Sequence, residues 1–281
     1  MLRLLRDASA LRAHILRVLD EKSSVEDLFP KGIRSSAATS AVLLLLGQQC
    51  DSSGPSTKPC LIFNKRSIEV KQPGDLCFPG GRITPRPDGY LSRILTWPFF
   101  PLARWPYWNK WRHLRPVEAR RLALLLAAGL REGLEEMRLN PLGVTFLGPL
   151  PRQRLQMFDR IIYPMASWIG RQKRFFPNWE VEKIVYMPLR DLLNADGYRC
   201  YRLRMGPRQS HRKNVPTQDF PCFVYGIETD REVLWGATYR ITTLFLKLIF
   251  GFAPPPMETL PVIEGALNDH YLTGSGRPDP D

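Results

Sequence analysis

The sequence predicts an α/β protein in which helices cover a mixed β-sheet. Short apolar runs typical of strands are interspersed with helical patterns, one early in the chain, one late, and the longest in the middle. Of the 281 residues, 44% are hydrophobic, which supports a sizeable packed core. These observations together indicate an α/β/α sandwich.

The individual elements follow from the spacing of apolar residues. Helices are predicted at Leu2–Leu19, Pro116–Leu139, Pro188–Asn194 and Ala237–Phe252, and strands at Ala41–Leu46, Cys60–Lys65, Val144–Leu150, Ile161–Ile169, Tyr198–Arg204 and Phe220–Gly226. The first of these strands is apolar throughout, as expected of a central strand that is buried on both faces. The stretch Gln48–Pro59 is rich in Ser, Gly and Pro, so it is predicted to be a hairpin loop.

Basic residues dominate the charge of the chain. It carries 40 Lys and Arg against 27 Asp and Glu, which gives a net charge of +13. The excess of basic over acidic residues is concentrated in a few segments and is largest in Arg82–Arg121. Such an excess favours polyanionic partners, namely phosphorylated metabolites, nucleic acid or an anionic membrane surface. A generally basic surface is the alternative interpretation.

Cysteine content and apolar runs narrow the class of protein further. The five cysteines form no CxxC pair, which argues against a disulfide framework or structural zinc site and suits a reducing cytosol. No apolar run approaches the ~20 residues that cross a bilayer. The first residues lack a compact apolar core and a small-residue cleavage site. We therefore expect an amphipathic helix and a cytoplasmic protein, with a mitochondrial transit peptide as the alternative.

Three glutamates are prominent near the end of the middle helix, in the stretch REGLEEMRL. Glu132 precedes Glu135 by three positions and Glu136 by four, which places their carboxylates close to one helix face. These like charges repel one another, whereas a divalent cation such as magnesium would bind them. The stretch therefore predicts a metal site, with an exposed acidic turn as the alternative.

A glycine-containing loop, PGDLCFPGG at Pro73–Gly81, precedes this helix in the sequence. Glycines in such a loop let backbone N–H groups come close to a phosphate. Together, the loop and REGLEE resemble the Nudix hydrolase signature, in which a glycine loop leads to REUXEEXGU on a helix, where U is a bulky aliphatic residue. The resemblance covers roughly residues 40–250 and implies the Nudix-type α/β/α sandwich with a mixed sheet.

The stretch IFNKRSIEVKQPGDLCFPGG further resembles the accessory motif of the coenzyme A pyrophosphatase branch. That motif reads LLTxRS, followed by a basic residue, a glycine and FPGG. Arg66 and Ser67 match its RS pair, and Lys71 stands where arginine is usual, with one residue fewer before Gly74. The later stretch VLWGATYRIT is similar to the closing tryptophan–glycine and helix of the same branch.

The chain departs from the family pattern between the two halves of the signature. Gly81 and Arg131 are fifty positions apart, so an insertion splits the motif. The glutamate that the family places six residues after the glycine falls on Pro87. Asp88 and Glu118 are the nearest acids.

The end of the acidic helix differs as well. Gly133 occupies an aliphatic position of the motif, and Arg138 replaces the glycine that usually ends the helix. Asn140–Pro141 is expected to take over that role, because proline cannot continue a helix and Asn tolerates a left-handed cap. The three glutamates are intact, so an active site is expected.

The resemblance implies a role for each group of residues. It implies hydrolysis of a diphosphate with magnesium or manganese; if the substrate is coenzyme A, the products are phosphopantetheine and adenosine 3′,5′-bisphosphate. The implied metal ligands are Glu132, Glu135 and Glu136, oriented by Arg131, and the implied substrate contacts are Arg66, Lys71, Gly80 and Gly81. The proton acceptor is expected among the three glutamates or in a later loop, at Glu180 or Glu182.

Two other functions remain open. The altered motif suits a catalytically weak Nudix-fold binding protein. The charge and the aromatic insertion suit a Nudix enzyme that acts on capped RNA or other dinucleotides, because bases stack on aromatic rings. The partner that we expect is a small, coenzyme A-like nucleoside diphosphate, and no stable nucleic-acid partner is expected.

The insertion, residues 82–115, mixes aromatic residues with prolines and arginines. It could add to the core, form a lid over the substrate, or make peripheral contact with a membrane. Since both of its ends are tethered near the catalytic loop, Trp105, Trp108 and Trp111 are predicted to lie over or beside the active-site mouth. The predicted organisation is an N-terminal helical segment (1–34), a Nudix hydrolase domain (35–252) and a poorly ordered tail (253–281).

Overall fold

The computed structural model describes residues 4–23, 29, 39–50, 57–155, 160–170, 172–204, 217–227, 230–267 and 271. The helices within these residues are α1 (Ala8–Ser23), α2 (Pro85–Ile94), α3 (Trp108–Leu114), α4 (Pro116–Met137), α5 (Leu189–Leu192) and α6 (Gly236–Phe250). The strands are β1 (Thr39–Cys50), β2 (Thr57–Arg66), β3 (Leu76–Cys77), β4 (Gly80–Arg82), β5 (Val144–Pro149), β6 (Gln153–Leu155), β7 (Arg160–Ile169), β8 (Val181–Pro188), β9 (Tyr198–Arg204), β10 (Thr217–Tyr225), β11 (Glu232–Leu234) and β12 (Val262–Ala266).

These strands form two mixed sheets. In the larger sheet β1 pairs in parallel with β7 and antiparallel with β2, and the order runs β3-β2-β1-β7-β5. Strands β4, β6 and β8 pair with β1, β7 and β2, respectively. The smaller sheet has the order β11-β10-β9-β12, with β9 and β12 parallel. The predicted α/β class with a mixed sheet is confirmed.

Strand β1 lies between two helical layers. Leu43 and Leu45 pack in the same cluster as the apolar side of α4, whereas Leu44 and Leu46 pack with residues of α1 and α6. All four side chains are fully buried. Alternate residues of a strand point to opposite faces of its sheet, so one apolar run serves both layers. The result is the predicted α/β/α sandwich.

The insertion adds to the core instead of covering the site. It forms α2 and α3, and Trp105, Trp108 and Trp111 are buried on the α4 side of the sheet. The ring centroid of Trp105 lies 5.1 Å from that of Phe146, and the centroid of Trp111 lies 6.3 Å from that of Phe29. The prediction that these tryptophans lie over the active-site mouth is wrong, because their large apolar rings are instead removed from water in the core.

The hairpin between β1 and β2 is longer than predicted. Gln48 pairs with Pro59, and Gln49 pairs with Lys58, within the stretch that was expected to be a loop. Both strands continue beyond the apolar run because ladder hydrogen bonds can form between residues with polar side chains. The loop predicted from the turn-forming residue types was therefore too long.

Helix α4 ends at Met137, two residues earlier than predicted. Arg138 itself takes the left-handed conformation, with φ 55°, and the N–H of Leu139 donates to the carbonyl of Gly133 at 3.1 Å. Asn140 is extended and instead accepts a hydrogen bond from the N–H of Leu142. The expectation of an Asn140 cap is wrong, because the last carbonyls of the helix are closed by a left-handed residue directly after Met137.

The segment predicted to be a poorly ordered tail is structured in part. Strand β12 lies within it and pairs in parallel with β9, with Val262 opposite Cys200. Further along, the backbone carbonyl of Tyr271 accepts a hydrogen bond from the N–H of Gln72 at 2.7 Å. Backbone pairing with an available sheet edge orders this stretch despite its Pro-rich and Gly-rich composition.

Candidate active site

The glycine loop and the acidic helix meet in space, although fifty positions separate Gly81 from Arg131. Strand β4, which carries the glycines, is paired with β1 and lies next to α4. A Cβ atom on Gly81 would overlap with Oε1 of Glu132. The N–H of Gly80 donates a hydrogen bond to the carboxylate of Glu136. The two halves of the split motif are thus in direct contact.

The conformation of Gly80 explains why glycine is needed there. Its φ is 154°, and a Cβ atom would overlap with the carbonyl oxygen of Ala41 and lie 2.6 Å from Cα of Val42. The neighbouring N–H of Leu43 donates to the carbonyl of Pro79 at 2.8 Å. The loop is therefore held flat against β1, which brings its backbone close to the helix.

Glu136 is the most enclosed carboxylate of the acidic helix. Its Oε2 accepts a hydrogen bond from Nδ2 of Asn64 at 2.7 Å, and both side chains are buried. Burial, together with the negative charges of Glu132 and Glu180, raises the pKa of Glu136 to about 8. A nearby cation would lower this pKa and relieve the repulsion.

Asn64 was missed by the sequence reasoning, although it lies within the stretch that carried the resemblance. It is fully buried, and its Oδ1 has no hydrogen-bond partner among the described residues. The detectable signal was a carboxamide directly after the apolar run Cys60–Phe63 of a buried strand. Buried polar side chains are normally paired, so such a residue indicates a polar partner or a ligand.

Arg131 connects several acidic residues of the site. Its Nε donates to Oδ1 of Asp88 at 2.7 Å, and its Nη1 donates to Oε2 of Glu135 at 3.1 Å. Its Nη2 lies 3.0 Å from Oε1 of Glu132 and 3.0 Å from the carbonyl oxygen of Arg82. One guanidinium therefore fixes the helix, the insertion and the end of the glycine loop relative to one another.

The acid that accompanies Arg131 is Asp88 and not Glu118. The carboxylate of Asp88 is fully buried and also accepts a hydrogen bond from the N–H of Thr84 at 2.6 Å. Glu118 lies in the first turn of α4, where its carboxylate pairs with Arg115 at 3.4 Å. Only Asp88 of the two alternatives is therefore part of the site.

The two later candidates for the proton acceptor have different surroundings. Glu182 pairs with Lys65 at 3.3 Å. The charge of Glu180 acts on Glu132 and Glu136, and its N–H donates to Oδ1 of Asn178 at 2.9 Å. Because the N–H of Asn178 in turn donates to the backbone carbonyl of Glu136 at 2.8 Å, Glu180 is tied to the end of the acidic helix.

Arg66 is the last residue of β2 and Lys71 lies in the loop that follows, and their side chains are placed differently. The Nε of Arg66 donates to the backbone carbonyl of Lys71 at 2.6 Å, while the Lys71 side chain is exposed. The positive charge of Arg66 partly offsets the rise in the pKa of Glu136 that burial causes. The charge of Arg66 thus acts on Glu136, whereas the Lys71 ammonium lies in solvent.

The donor chemistry of the site fits a hard divalent cation. The negative charge of Glu180 raises the pKa of both Glu132 and Glu136, so these carboxylates lie near one another, and magnesium and manganese prefer carboxylate oxygens. Glu135 is turned towards Arg131 instead. In the part of the chain that the structure describes, no three His, Cys, Asp or Glu side chains are already arranged to hold a metal ion.

Comparison with known proteins gives a partial likeness of fold. No family model and no curated protein matches the sequence. Similar solved structures include a Nudix hydrolase from Alicyclobacillus acidocaldarius, with 14% identity over 56% of this chain and 82% of that chain and a TM-score of 0.37. A C. elegans Ap4A hydrolase has 12% identity, coverage of 55% and 83%, and a TM-score of 0.33. The Nudix domain of Shewanella oneidensis NrtR, complexed with ADP ribose, has 11% identity, coverage of 62% and 85%, and a TM-score of 0.31. Values this low establish no function, which must be inferred from the site.

Proposed function

We propose that the protein is a Nudix hydrolase that uses a divalent metal ion to cleave the diphosphate linkage of a nucleotide derivative. The observation that carries this proposal is the contact between the two halves of the split motif. Gly81 lies against the carboxylate of Glu132, and the N–H of Gly80 reaches the carboxylate of Glu136. A loop of backbone N–H groups beside clustered carboxylates suits a phosphate and the cation that accompanies it.

Glu132 and Glu136 would hold magnesium or manganese, joined by Glu135 once its carboxylate leaves Arg131. When bound, the ion lowers the pKa of a water molecule and polarises the phosphoryl oxygens. The hydrogen bonds from Asn64 and Gly80 favour the ionised form of Glu136, which a metal ligand requires. Arg131 pairs with Glu132 and Glu135 and so keeps both side chains beside the position that the ion would take.

Glu180 is our candidate for the proton acceptor. Its loop is tied to the backbone of Glu136 through Asn178, so its carboxylate is held on the side of the acidic cluster. Glu180 would take a proton from the attacking water as a new P–O bond forms and the P–O bond to the leaving phosphate breaks. Glu182 is less suited to this role, because its carboxylate is paired with Lys65.

Coenzyme A is the substrate that we propose, because the stretch from β2 to the glycines resembles the accessory motif of the coenzyme A pyrophosphatase branch. The charge of Arg66 acts on Glu136, and its guanidinium would bind the diphosphate there. Addition of water to one phosphorus, with departure of the other phosphate, would yield phosphopantetheine and adenosine 3′,5′-bisphosphate. Replacement of Arg66 by alanine should raise the KM for coenzyme A more than it lowers kcat, and replacement of Lys71, whose ammonium lies in solvent, should raise the KM less. Arg190→Ala, at an exposed position in α5, is the matched control.

The substrate is identified by incubating the purified protein and manganese with coenzyme A, ADP ribose, diadenosine tetraphosphate and capped RNA. Product masses then show which linkage is cleaved. Preferred cleavage of coenzyme A that depends on Arg66 supports the proposal. Preference for capped RNA or a dinucleotide would favour the second function, and binding without turnover of any substrate would favour the weak binding protein.

A further inference from the structure

A groove in the insertion is separate from the acidic site. It lies between α2, α3 and the first half of α4 and has a volume of about 830 Å³. Ala119, Ala123 and Leu124 of α4 are among its lining residues. None of the acidic-site residues on α4 lines it, so the proposed hydrolysis does not account for it. We call it the insertion groove.

Four arginines line the insertion groove: Arg86, Arg93, Arg112 and Arg120. None of its lining residues is acidic, and among the described residues none of the four guanidinium groups forms an ion pair. Arg112 has a neutral partner, since its Nη2 donates to Oδ1 of Asn109 at 3.2 Å. Four cations gathered without counter-charges repel one another, and an anionic partner would relieve that repulsion.

Large aromatic side chains are exposed along the same part of the insertion. Tyr90 is 66% exposed and Trp97 is 61% exposed, and both line the groove. Phe99, in the turn after α2, is 82% exposed and has φ 74°, a conformation that is strained for a bulky residue. These three rings contrast with Trp105 and Trp111 of the same insertion, which are buried. The rings of Tyr90, Trp97 and Phe99 are not buried, and within the described residues they make no contact with another aromatic ring.

We infer that the insertion groove docks on an anionic phospholipid membrane. The arginines complement lipid phosphates, and aromatic rings on the same rim are suited to the interface between headgroups and acyl chains. Leu114 and Val117, which lie close to the lining residues Arg112 and Pro116 in the chain, add further exposed apolar side chains. An oligonucleotide would use the arginines and the rings but not these aliphatic groups, so the lipid surface is favoured.

The contact would be peripheral. No helix within the described ranges is both long enough and apolar enough to cross a membrane. The rings would lie at headgroup depth, and the arginines would add electrostatic attraction that salt screens. The inference is independent of the proposed hydrolysis, because none of the residues that carry it belongs to the acidic site.

Sedimentation with lipid vesicles tests the inference on the full chain. We expect the protein to bind phosphatidylcholine vesicles that contain phosphatidylglycerol, and not phosphatidylcholine alone, with affinity that falls as salt rises. The double variants Arg93→Glu/Arg120→Glu and Trp97→Ser/Phe99→Ser should each weaken binding at least about tenfold. Arg190→Glu and Ile227→Ser alter exposed residues elsewhere and should bind as the wild type does.

A second measurement keeps the inference testable if a double variant misfolds. Brominated acyl chains should quench the fluorescence of Trp97 on binding, and the single variant Trp97→Phe should lose that quenched component while still sedimenting. Three results would overturn the inference: no binding to anionic vesicles, equal binding by the groove variants and the wild type, or binding of single-stranded RNA with none of vesicles.

Discussion

Arg131 forms an ion pair with the fully buried Asp88, with 2.7 Å between Nε of the arginine and Oδ1 of the aspartate. Asp88 lies on α2 in the insertion, and Arg131 lies on the acidic helix. The insertion therefore separates the halves of the motif along the chain but returns an acid to its arginine in space. Arg131 keeps its buried partner even though the expected glutamate position is occupied by Pro87.

Asp88→Asn should destabilise the protein. The change keeps the size of the side chain but removes the buried charge that faces Arg131, whose guanidinium retains only Glu132 and Glu135, so a loss of roughly 1–3 kcal/mol in the free energy of unfolding is expected. Urea unfolding measures this loss. Glu118→Gln, which alters the partly exposed pair with Arg115, is the control and should cost about 1 kcal/mol or less. Equal effects of the two changes would show that the Asp88 pair is not a specific support of the site.

Gly81→Ala should impair catalysis more than folding. The added methyl group would meet the end of the flexible Glu132 side chain, which can move away but then leaves its position. Such a displacement of a catalytic group can cost roughly a hundredfold in rate. Steady-state kinetics and thermal unfolding, measured together, separate the two effects.

The matched control for Gly81 is Gly89→Ala. Gly89 lies in α2, where an added methyl group meets nothing within 4 Å. Because alanine favours a helix more than glycine does, this variant should be fully active and slightly more stable. Full activity of Gly81→Ala would mean that the glycine loop does not restrain Glu132.

Trp105→Ala should cost roughly 3–5 kcal/mol of stability, because it removes a buried aromatic ring from the core. Trp105→Phe should cost much less, since the indole N–H has no hydrogen-bond partner within the described structure. Trp97→Ala removes an exposed ring and should leave the unfolding midpoint nearly unchanged. An equal loss from Trp97→Ala and Trp105→Ala would contradict the added-core role of the insertion.

The sequence predicted the parts of the fold that depend on local patterns. An apolar run such as Ala41–Leu46 carries its own evidence of burial on both faces, and the spacing of Glu132 and Glu136 specifies one helix face. Whether a tryptophan in the insertion is buried or exposed cannot be predicted from such local patterns. Trp97 and Trp105 have similar neighbours in sequence, yet only Trp105 meets Phe146, which lies 41 positions further on. Partners that distant are set by the fold and not by composition.

The candidate site was predictable to a similar extent. The glycines and the acidic helix could be recognised by their motif, but the position of Glu135 could not, since it depends on competition for one guanidinium. Asn64 could not be identified as a site residue from the sequence, because a single carboxamide forms no spacing pattern. Its significance follows from burial beside Glu136, which only the packed sheet and helix reveal.

Asp75 should make stability depend on pH. Burial raises the pKa of its carboxyl from 3.8 to about 6, although Trp235 and Tyr271 donate hydrogen bonds to it. The folded protein therefore keeps this proton to a higher pH than the unfolded chain does, so Asp75 lowers stability as pH rises from about 4 to about 6. The rise in pKa corresponds to at most roughly 3 kcal/mol.

The Asp75→Asn variant isolates this effect, because its carboxamide does not titrate. Between these pH values the free energy of unfolding of the wild type should fall relative to that of the variant, and above about pH 6 the difference should stay constant. Urea unfolding at a series of pH values provides the measurement. Parallel curves for the two proteins would show that Asp75 ionises as readily in the fold as in the unfolded chain.

The most direct test of the central claim is the initial rate of coenzyme A hydrolysis by the wild type and Glu136→Gln, each with manganese and with a chelator. The proposed site predicts release of adenosine 3′,5′-bisphosphate by the wild type only when metal is present. It also predicts a rate for Glu136→Gln that is lower by roughly a hundredfold or more, with the fold intact by circular dichroism. Turnover that is independent of metal, or a Glu136→Gln variant as active as the wild type, would contradict the assignment of the acidic helix as the catalytic metal site.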